Sequence, residues 1–261
     1  MTNDKLPGIK LFDLKNRVAI ITGGSKGLGL AIGLGLASAG ANIVVVNRNE
    51  EEGNEAANAI ASEYGVKTKA VAADVTSQGD MEAMAKETMD EFGRIDILIN
   101  SAGINIRGAI DELTLDQFNQ VMNTNVTGTW LACRAVIPHM KEAESGKIIN
   151  VASTLGKVGL ANRTPYTSSK GAVVQMTRAL GLEMAPFKIN VNGICPGPFL
   201  TELNEPIAES EEAKEFIVGA TALGRWGELE EIQGVALYLA SDAATYMVGE
   251  LIAVDGGWLA K

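Results

Sequence analysis

The chain has 261 residues, 46% of them hydrophobic, enough to fill one large core, and no Pro/Ser-rich linker, charge block or internal repeat divides it; a single domain over residues 1–261 is expected. Its 32 acidic residues outweigh 22 basic ones, and a formal charge of −10 repels nucleic acid and anionic membranes. Two cysteines, Cys133 and Cys195, and a lone His139 beside Pro138 argue against a disulfide framework and against a catalytic metal.

Residues 1–13 read as an N-terminal extension. They begin Met1-Thr-Asn-Asp-Lys-Leu-Pro-Gly8, without the apolar core of a signal peptide, so a cytoplasmic location is expected. Val18-Ala-Ile-Ile21 reads as a buried strand that runs straight into Thr22-Gly-Gly-Ser-Lys-Gly-Leu-Gly29, followed by the apolar stretch Leu30–Ala39. Strand, glycine turn and helix in that order make a phosphate cradle. Gly23 permits the tight turn, Gly27 lets backbone approach a pyrophosphate, and Gly29 lets helix and strand pack closely. The helix N-terminus adds free N–H groups and a partial positive charge. The spacing is Gly-x-x-x-Gly-x-Gly rather than Gly-x-Gly-x-x-Gly. The uncharged stretch Gly27–Val46 approaches the ~20 residues of a membrane span. Gly33, Gly35, Gly40 and Asn42 divide it into helix, turn and strand, so no membrane segment is expected.

Further β-rich runs at Ile43–Val46, Ala70–Ala72, Ile95–Ile99, Ile148–Val151, Ile189–Ile194 and Leu251–Val254 alternate with helical stretches. The helical stretches are Glu51–Tyr64, Gly79–Phe92, Asp116–Lys141, Thr164–Met184 and Leu229–Ala240. Such alternation predicts βαβ units, and near-continuously apolar strands fit a sheet covered on both faces. The fold class is therefore α/β, a Rossmann-type doubly wound parallel sheet of about seven strands with helices on both faces.

The helical stretch Thr164–Met184 sets Tyr166 and Lys170 four residues apart, on one face. A free tyrosine, with a pKa near ~10, is a poor base at neutral pH, but a neighbouring cation favours the phenolate. Ser153, just beyond the strand Ile148–Val151, is placed to hydrogen-bond the oxygen that Tyr166 protonates or deprotonates. That geometry suits interconversion of an alcohol and a carbonyl.

From about Leu14 to Trp258 the chain resembles the short-chain dehydrogenase/reductase family. The marks stand in order: Thr22-Gly23-x-x-x-Gly27-x-Gly29, Asp74-Val75, Asn100-Ser-Ala-Gly103, Asn125-Val-x-Gly128, Ser153, Tyr166-x-x-x-Lys170, and Pro196-Gly197 with Thr201. Ser101 departs from the pattern, since the family usually carries a second Asn there. The resemblance implies hydride transfer between a nicotinamide cofactor and a small alcohol or carbonyl substrate, with Asn125, Ser153, Tyr166 and Lys170 as catalytic residues. Lys170 would lower the Tyr166 pKa and hold the nicotinamide ribose, Asn125 would hold a water linking Lys170 to solvent, and Thr201 would hold the carboxamide. Asp74 would hold the adenine amino group; Ser25, Leu28, Val75, Asn100, Ala102, Gly103, Pro196 and Gly197 would line the cofactor.

In this fold the adenosine ribose lies at the end of the second strand, Val44-Val-Val-Asn47-Arg48. An acidic residue there would repel a 2′-phosphate; Asn47 stands in its place, Arg48 follows, and Lys26 in the glycine turn offers a second cation. NADP(H) is therefore favoured, with NAD(H) possible. The substrate pocket would be built from the loop after Gly103, the residues after Ser153 and a lid over residues 198–224. Arg107, Ser153, Leu155 and Pro198 are its candidate residues, with Arg107 either meeting a carboxylate or lying on the surface. The segments Gly103–Arg107, Asn192–Gly197, Arg225–Gly227 and Val254–Trp258 look like the sugar-acid and polyol branch typified by gluconate 5-dehydrogenase and 2-deoxygluconate 3-dehydrogenase.

Two alternatives stay open. One is a 3-oxoacyl-acyl-carrier-protein reductase, although Pro138 and Phe187 occupy the two places where that branch carries basic residues for its acidic carrier. The other is a non-catalytic nucleotide-sensing regulator, although Ser, Tyr and Lys are all present. The resemblance also implies a homotetramer, built through Asp116–Lys141, Thr164–Met184 and the C-terminal strand. Trp130, Val173, Val174 and Met176 supply more apolar surface than one buried face requires.

Overall fold

The computed structural model describes residues 7–202, 204–205, 208–211 and 213–260, with backbone alone at 216 and 217. Parts of the predicted extension (residues 1–6) and lid (residues 203, 206, 207 and 212) therefore lie outside the described residues. Among those described, seven strands pair in parallel: β1 Val18–Thr22, β2 Asn42–Asn47, β3 Thr68–Ala72, β4 Ile97–Asn100, β5 Gly146–Val151, β6 Ile189–Pro196 and β7 Leu251–Val254. Their spatial order is β3-β2-β1-β4-β5-β6-β7, so the direction of winding reverses between β1 and β4. A reversal of that kind leaves a crevice at the carboxyl ends of the two strands, where ligands of open α/β sheets bind.

The helices are α1 Gly27–Ser38, α2 Glu50–Tyr64, α3 Gln78–Phe92, α4 Leu115–Met122, α5 Gly128–Glu142, α6 Thr164–Met184 and α7 Gln233–Ala240. Strand side chains alternate between two cores. Ile21, Ile43 and Val45 pack with Ile32 and Leu36 of α1, Ile60 of α2 and Leu239 of α7. Ile20, Val44 and Leu98 face the other way, against Met81 and Met84 of α3 and Val136 and Met140 of α5. Each such fully buried aliphatic side chain contributes roughly 1.5–3 kcal/mol. Caps set the starts of α2 and α3: the Asn49 side chain accepts from the Glu51 and Glu52 amides, and the Ser77 side chain accepts from Asp80 N.

Two predicted helices differ in detail. Asp116–Lys141 is not one α-helix, because a π turn at Asn123–Thr127 separates α4 from α5. The extra residue is drawn out by its own bonds, since the Asn125 amide is taken by Ile104 and Ser169 and Thr129 Oγ1 donates to Asn125 O at 2.8 Å. Leu229–Ala240 begins as a 3₁₀ turn at Leu229–Ile232, held by reciprocal bonds between Glu228 and Glu231. Val173 and Val174 are also not surplus surface: both are buried within the subunit beside Ala152, Cys195 and Leu251. No described helix is long and apolar enough to cross a membrane.

Candidate active site

The turn between β1 and α1 is bare backbone for steric reasons. A β-carbon on Gly23 would stand 2.9 Å from the Ala102 backbone, and one on Gly29 would overlap the Gly23 carbonyl oxygen. Thr22 Oγ1 ties this turn to the end of β4 by accepting from Ser101 N at 3.2 Å and Ala102 N at 3.3 Å. Ser101, the departure from the family pattern, thus uses its backbone rather than its side chain in these bonds. The turn opens onto a cleft of about 1230 Å³. Gly23, Ser25, Lys26, Gly27, Leu28 and Gly29 line it at one end, Asn47, Arg48, Asp74 and Val75 at the adenosine end, and Ala102, Gly103, Pro196, Gly197 and Thr201 along its length. Ser153, Tyr166 and Lys170 reach its wall from β5 and α6. The bare turn suits an extended dinucleotide, whose phosphates would meet the free N–H groups at the start of α1.

At the adenosine end Asn47 and Lys26 both line the cleft and make contacts that the sequence does not display. Asn47 turns toward α2: its Nδ2 donates to Asn49 O at 2.7 Å, and its Oδ1 is buried against Gly53 without a hydrogen-bond partner. Arg48 remains exposed on the cleft. Lys26 is not an unopposed cation, because its Nζ lies 3.3 Å from Glu202 Oε2 and 3.9 Å from Glu52 Oε2.

At the other end Ser153 acts on the Tyr166 hydroxyl at the cleft wall, where Tyr166 is partly exposed. Burial pushes the Tyr166 pKa up, while the Ser153 bond and the charge of Arg107 draw it back. Lys170, expected to lower it, sits with Nζ 5.7 Å from the Tyr166 ring centre and donates to Val151 O at 2.8 Å. Burial lowers the Lys170 pKa itself to about 8. The ammonium is thus held by the strand carbonyl over the ring, and the groups that draw the Tyr166 pKa down are Ser153 and, more weakly, Arg107. A β-carbon at Gly103 would lie 3.2 Å from Asn125 Oδ1 and 3.6 Å from Lys170 Nζ, so the loop after β4 passes close to both.

Asn125 does not stand on the cleft wall. It fastens that loop to α6, since its Oδ1 accepts from Ile104 N at 2.8 Å and its Nδ2 donates to Ile104 O and Ser169 Oγ, both at 2.9 Å. Ser169 Oγ in turn donates to Tyr166 O at 2.7 Å. Asn100 is likewise absent from the wall; it is buried in β4, its Nδ2 given to Asn150 Oδ1 at 2.9 Å and Cys133 Sγ at 3.2 Å. Leu155 and Pro198 are also off the wall; Leu155 N donates to Ser153 Oγ, and Pro198 O accepts from Gly227 N. Arg107 bonds Asn204 Oδ1 at 3.1 Å, which joins the loop after β4 to the segment after β6. Sequence reasoning missed Glu52, Ser169, Glu202 and Asn204. Ser169 alone carried a signal, its place directly before Lys170 in the helix that bears Tyr166.

Residues 23–259 match the family described as Enoyl-(Acyl carrier protein) reductase. The chain is 35% identical to gluconate 5-dehydrogenase of Gluconobacter oxydans over 95% of its own length and 96% of that protein's. It is 34% identical to the 3-oxoacyl-[acyl-carrier-protein] reductase of Chlamydia muridarum over 94% and 98%. Among solved structures, a gluconate 5-dehydrogenase from Burkholderia cenocepacia in complex with NADP and tartrate superposes with a TM-score of 0.93 at 35% identity, covering 97% of this chain and 99% of that one.

Proposed function

The chain belongs to the short-chain dehydrogenase/reductase family of oxidoreductases, and we propose that it moves hydride between NADP(H) and the carbinol carbon of a sugar acid, polyol or small ketone. The observation that carries this is the Ser153–Tyr166–Lys170 group on the wall of a cleft whose far end is a bare glycine turn. When bound, the nicotinamide supplies the hydride. The protein's own residues do the rest. Tyr166 gives a proton to, or takes one from, the substrate oxygen; Ser153 orients that oxygen; Lys170, anchored on Val151 O, holds the nicotinamide ribose. Asn125 acts by fixing the loop after β4 against α6.

Arg48 at the end of β2 supports a 2′-phosphate, and the relatives solved with NADP support the same cofactor. Arg107, on the loop after β4 and bonded to Asn204 of the cleft wall, supports a substrate with a carboxylate. A 3-oxoacyl carrier substrate is disfavoured by Pro138 and Phe187, which stand where that branch carries basic residues. The charge of −10, with no membrane-length helix among the described residues, supports work in the cytoplasm away from nucleic acid and membrane. Exposed Leu115 and Trp130 support a homotetramer. A fluorescence screen of NADPH and NAD(P)⁺ turnover against sugar acids, polyols, small ketones and a 3-oxoacyl thioester tests the reading. Turnover is expected with the first three classes; turnover confined to the thioester overturns the substrate assignment.

A further inference from the structure

We propose that Glu52 and Glu202 are specificity-determining residues that set the cofactor preference by holding Lys26 between them at the adenosine end of the cleft. The inference rests on nicotinamide dinucleotide binding in that cleft. Glu52 comes from the first turn of α2, where the Asn49 side chain donates to its Oε1 at 3.2 Å. Its other oxygen is 3.9 Å from Lys26 Nζ. Glu202 approaches from the opposite side, on the segment after β6, with its carboxylate 3.3 Å from the same ammonium. That segment touches the glycine turn a second time, for a β-carbon on Gly27 would lie 3.8 Å from the Thr201 side chain. Both carboxylates and Lys26 line the cleft with Arg48.

The charge balance follows. β2 ends in Asn47 and carries no acidic residue at the ribose position, and the Asn47 amide is turned away into α2. Acidic character is instead supplied from outside the strand, twice, against two cations. A phosphate on the ribose gains Arg48 but must draw Lys26 from its carboxylates and meet their repulsion, whereas an unphosphorylated ribose leaves all three in place. The preference for NADP(H) is therefore held below what Arg48 and Lys26 alone would give. All three side chains are about half exposed, so each carboxylate acts through a screened interaction.

Direct titration of NADP⁺ and NAD⁺ at low ionic strength tests this without relying on turnover. Glu52→Gln and Glu202→Gln should each raise the ratio of NADP⁺ to NAD⁺ affinity by about threefold, the double variant by about tenfold, and Lys26→Ala should lower it, as expected for exposed ion pairs. Added salt should shrink all of these shifts. Glu55→Gln, the same charge change on the same helix but off the cleft wall, should leave the ratio unmoved. An unchanged ratio in the double variant overturns the inference, as does a shift in Glu55→Gln as large as that in Glu52→Gln. Failure of the unaltered protein to bind either dinucleotide overturns this inference and the proposed function together.

Discussion

At Tyr166 burial and charge act in opposite directions, and burial wins: the phenol stays protonated in the neutral range, the form that can give a proton to a carbonyl oxygen. Tyr166→Phe keeps the ring and removes the proton. It should lower turnover by ~10²-fold or more while leaving cofactor affinity in a direct titration nearly unchanged. Retention of more than about a tenth of the rate would refute the acid assignment. Lys170→Ala should weaken both turnover and cofactor binding. A second buried lysine lies outside the site: Lys147 in β5, only 5% exposed, donates to Asn190 Oδ1 at 2.7 Å, and burial lowers its pKa from 10.5 to about 8. Between those values the unfolded chain binds more protons than the fold, so this group's contribution to stability rises with pH from about 8 to about 10.5 and the charge costs stability below that window. Chemical denaturation of the parent and of Lys147→Gln at pH 7.5 and pH 9.5 should show the parent gaining on the variant, by at most on the order of 1 kcal/mol per pH unit. Parallel pH curves would contradict this account of Lys147.

Among the elements, α2 and α3 give opposite expectations for the same substitution. Alanine in a helix ordinarily gains about 0.5–1 kcal/mol over glycine. At Gly79, on the first turn of α3, a β-carbon meets nothing nearer than Ser77 Oγ at 4.0 Å, and Gly79→Ala should raise the melting temperature. At Gly53 the β-carbon would overlap Asn47 Oδ1, so Gly53→Ala should lower it and loosen the adenosine end of the cleft. Thermal melts of the two variants decide it; a stabilised Gly53→Ala would mean that Asn47 moves at no cost. Much of the architecture was legible in the sequence, because apolar runs such as Val18–Ile21 and Ile43–Val46 carry the strand signal themselves and the glycine turn and Tyr166–Lys170 are local spacings. What escaped was pairing across distance. The π turn depends on Ile104 and Ser169 meeting Asn125, and the neutralisation of Lys26 depends on Glu202 far along the chain. No periodicity within α4, α5 or α1 encodes either contact.

For the whole molecule, two cores hold the parallel sheet rigid and leave the winding reversal between β1 and β4 as the place where the turn, the β4 loop, α6 and the segment after β6 converge. Among the exposed apolar side chains of the described residues, three stand on α4 and α5: Leu115 is 72% exposed, Trp130 51% and Phe118 37%. Such a face on an acidic protein fits pairing with another copy, and light scattering at micromolar concentration should give a mass near four times 27.4 kDa. A stable, active monomer would contradict the tetramer. The central claim is chemical: this cleft moves hydride from NADPH to a carbonyl under the control of Tyr166. The direct measurement is mass spectrometry of the product after incubation with NADPH deuterated at the transferable position and a panel of keto sugar acids and small ketones. The account predicts one deuterium on the new carbinol carbon with the parent protein and, with Tyr166→Phe, at most about a hundredth of that rate. Binding of NADPH with no deuterium delivered to any carbonyl of the panel would contradict it and favour a nucleotide-sensing role.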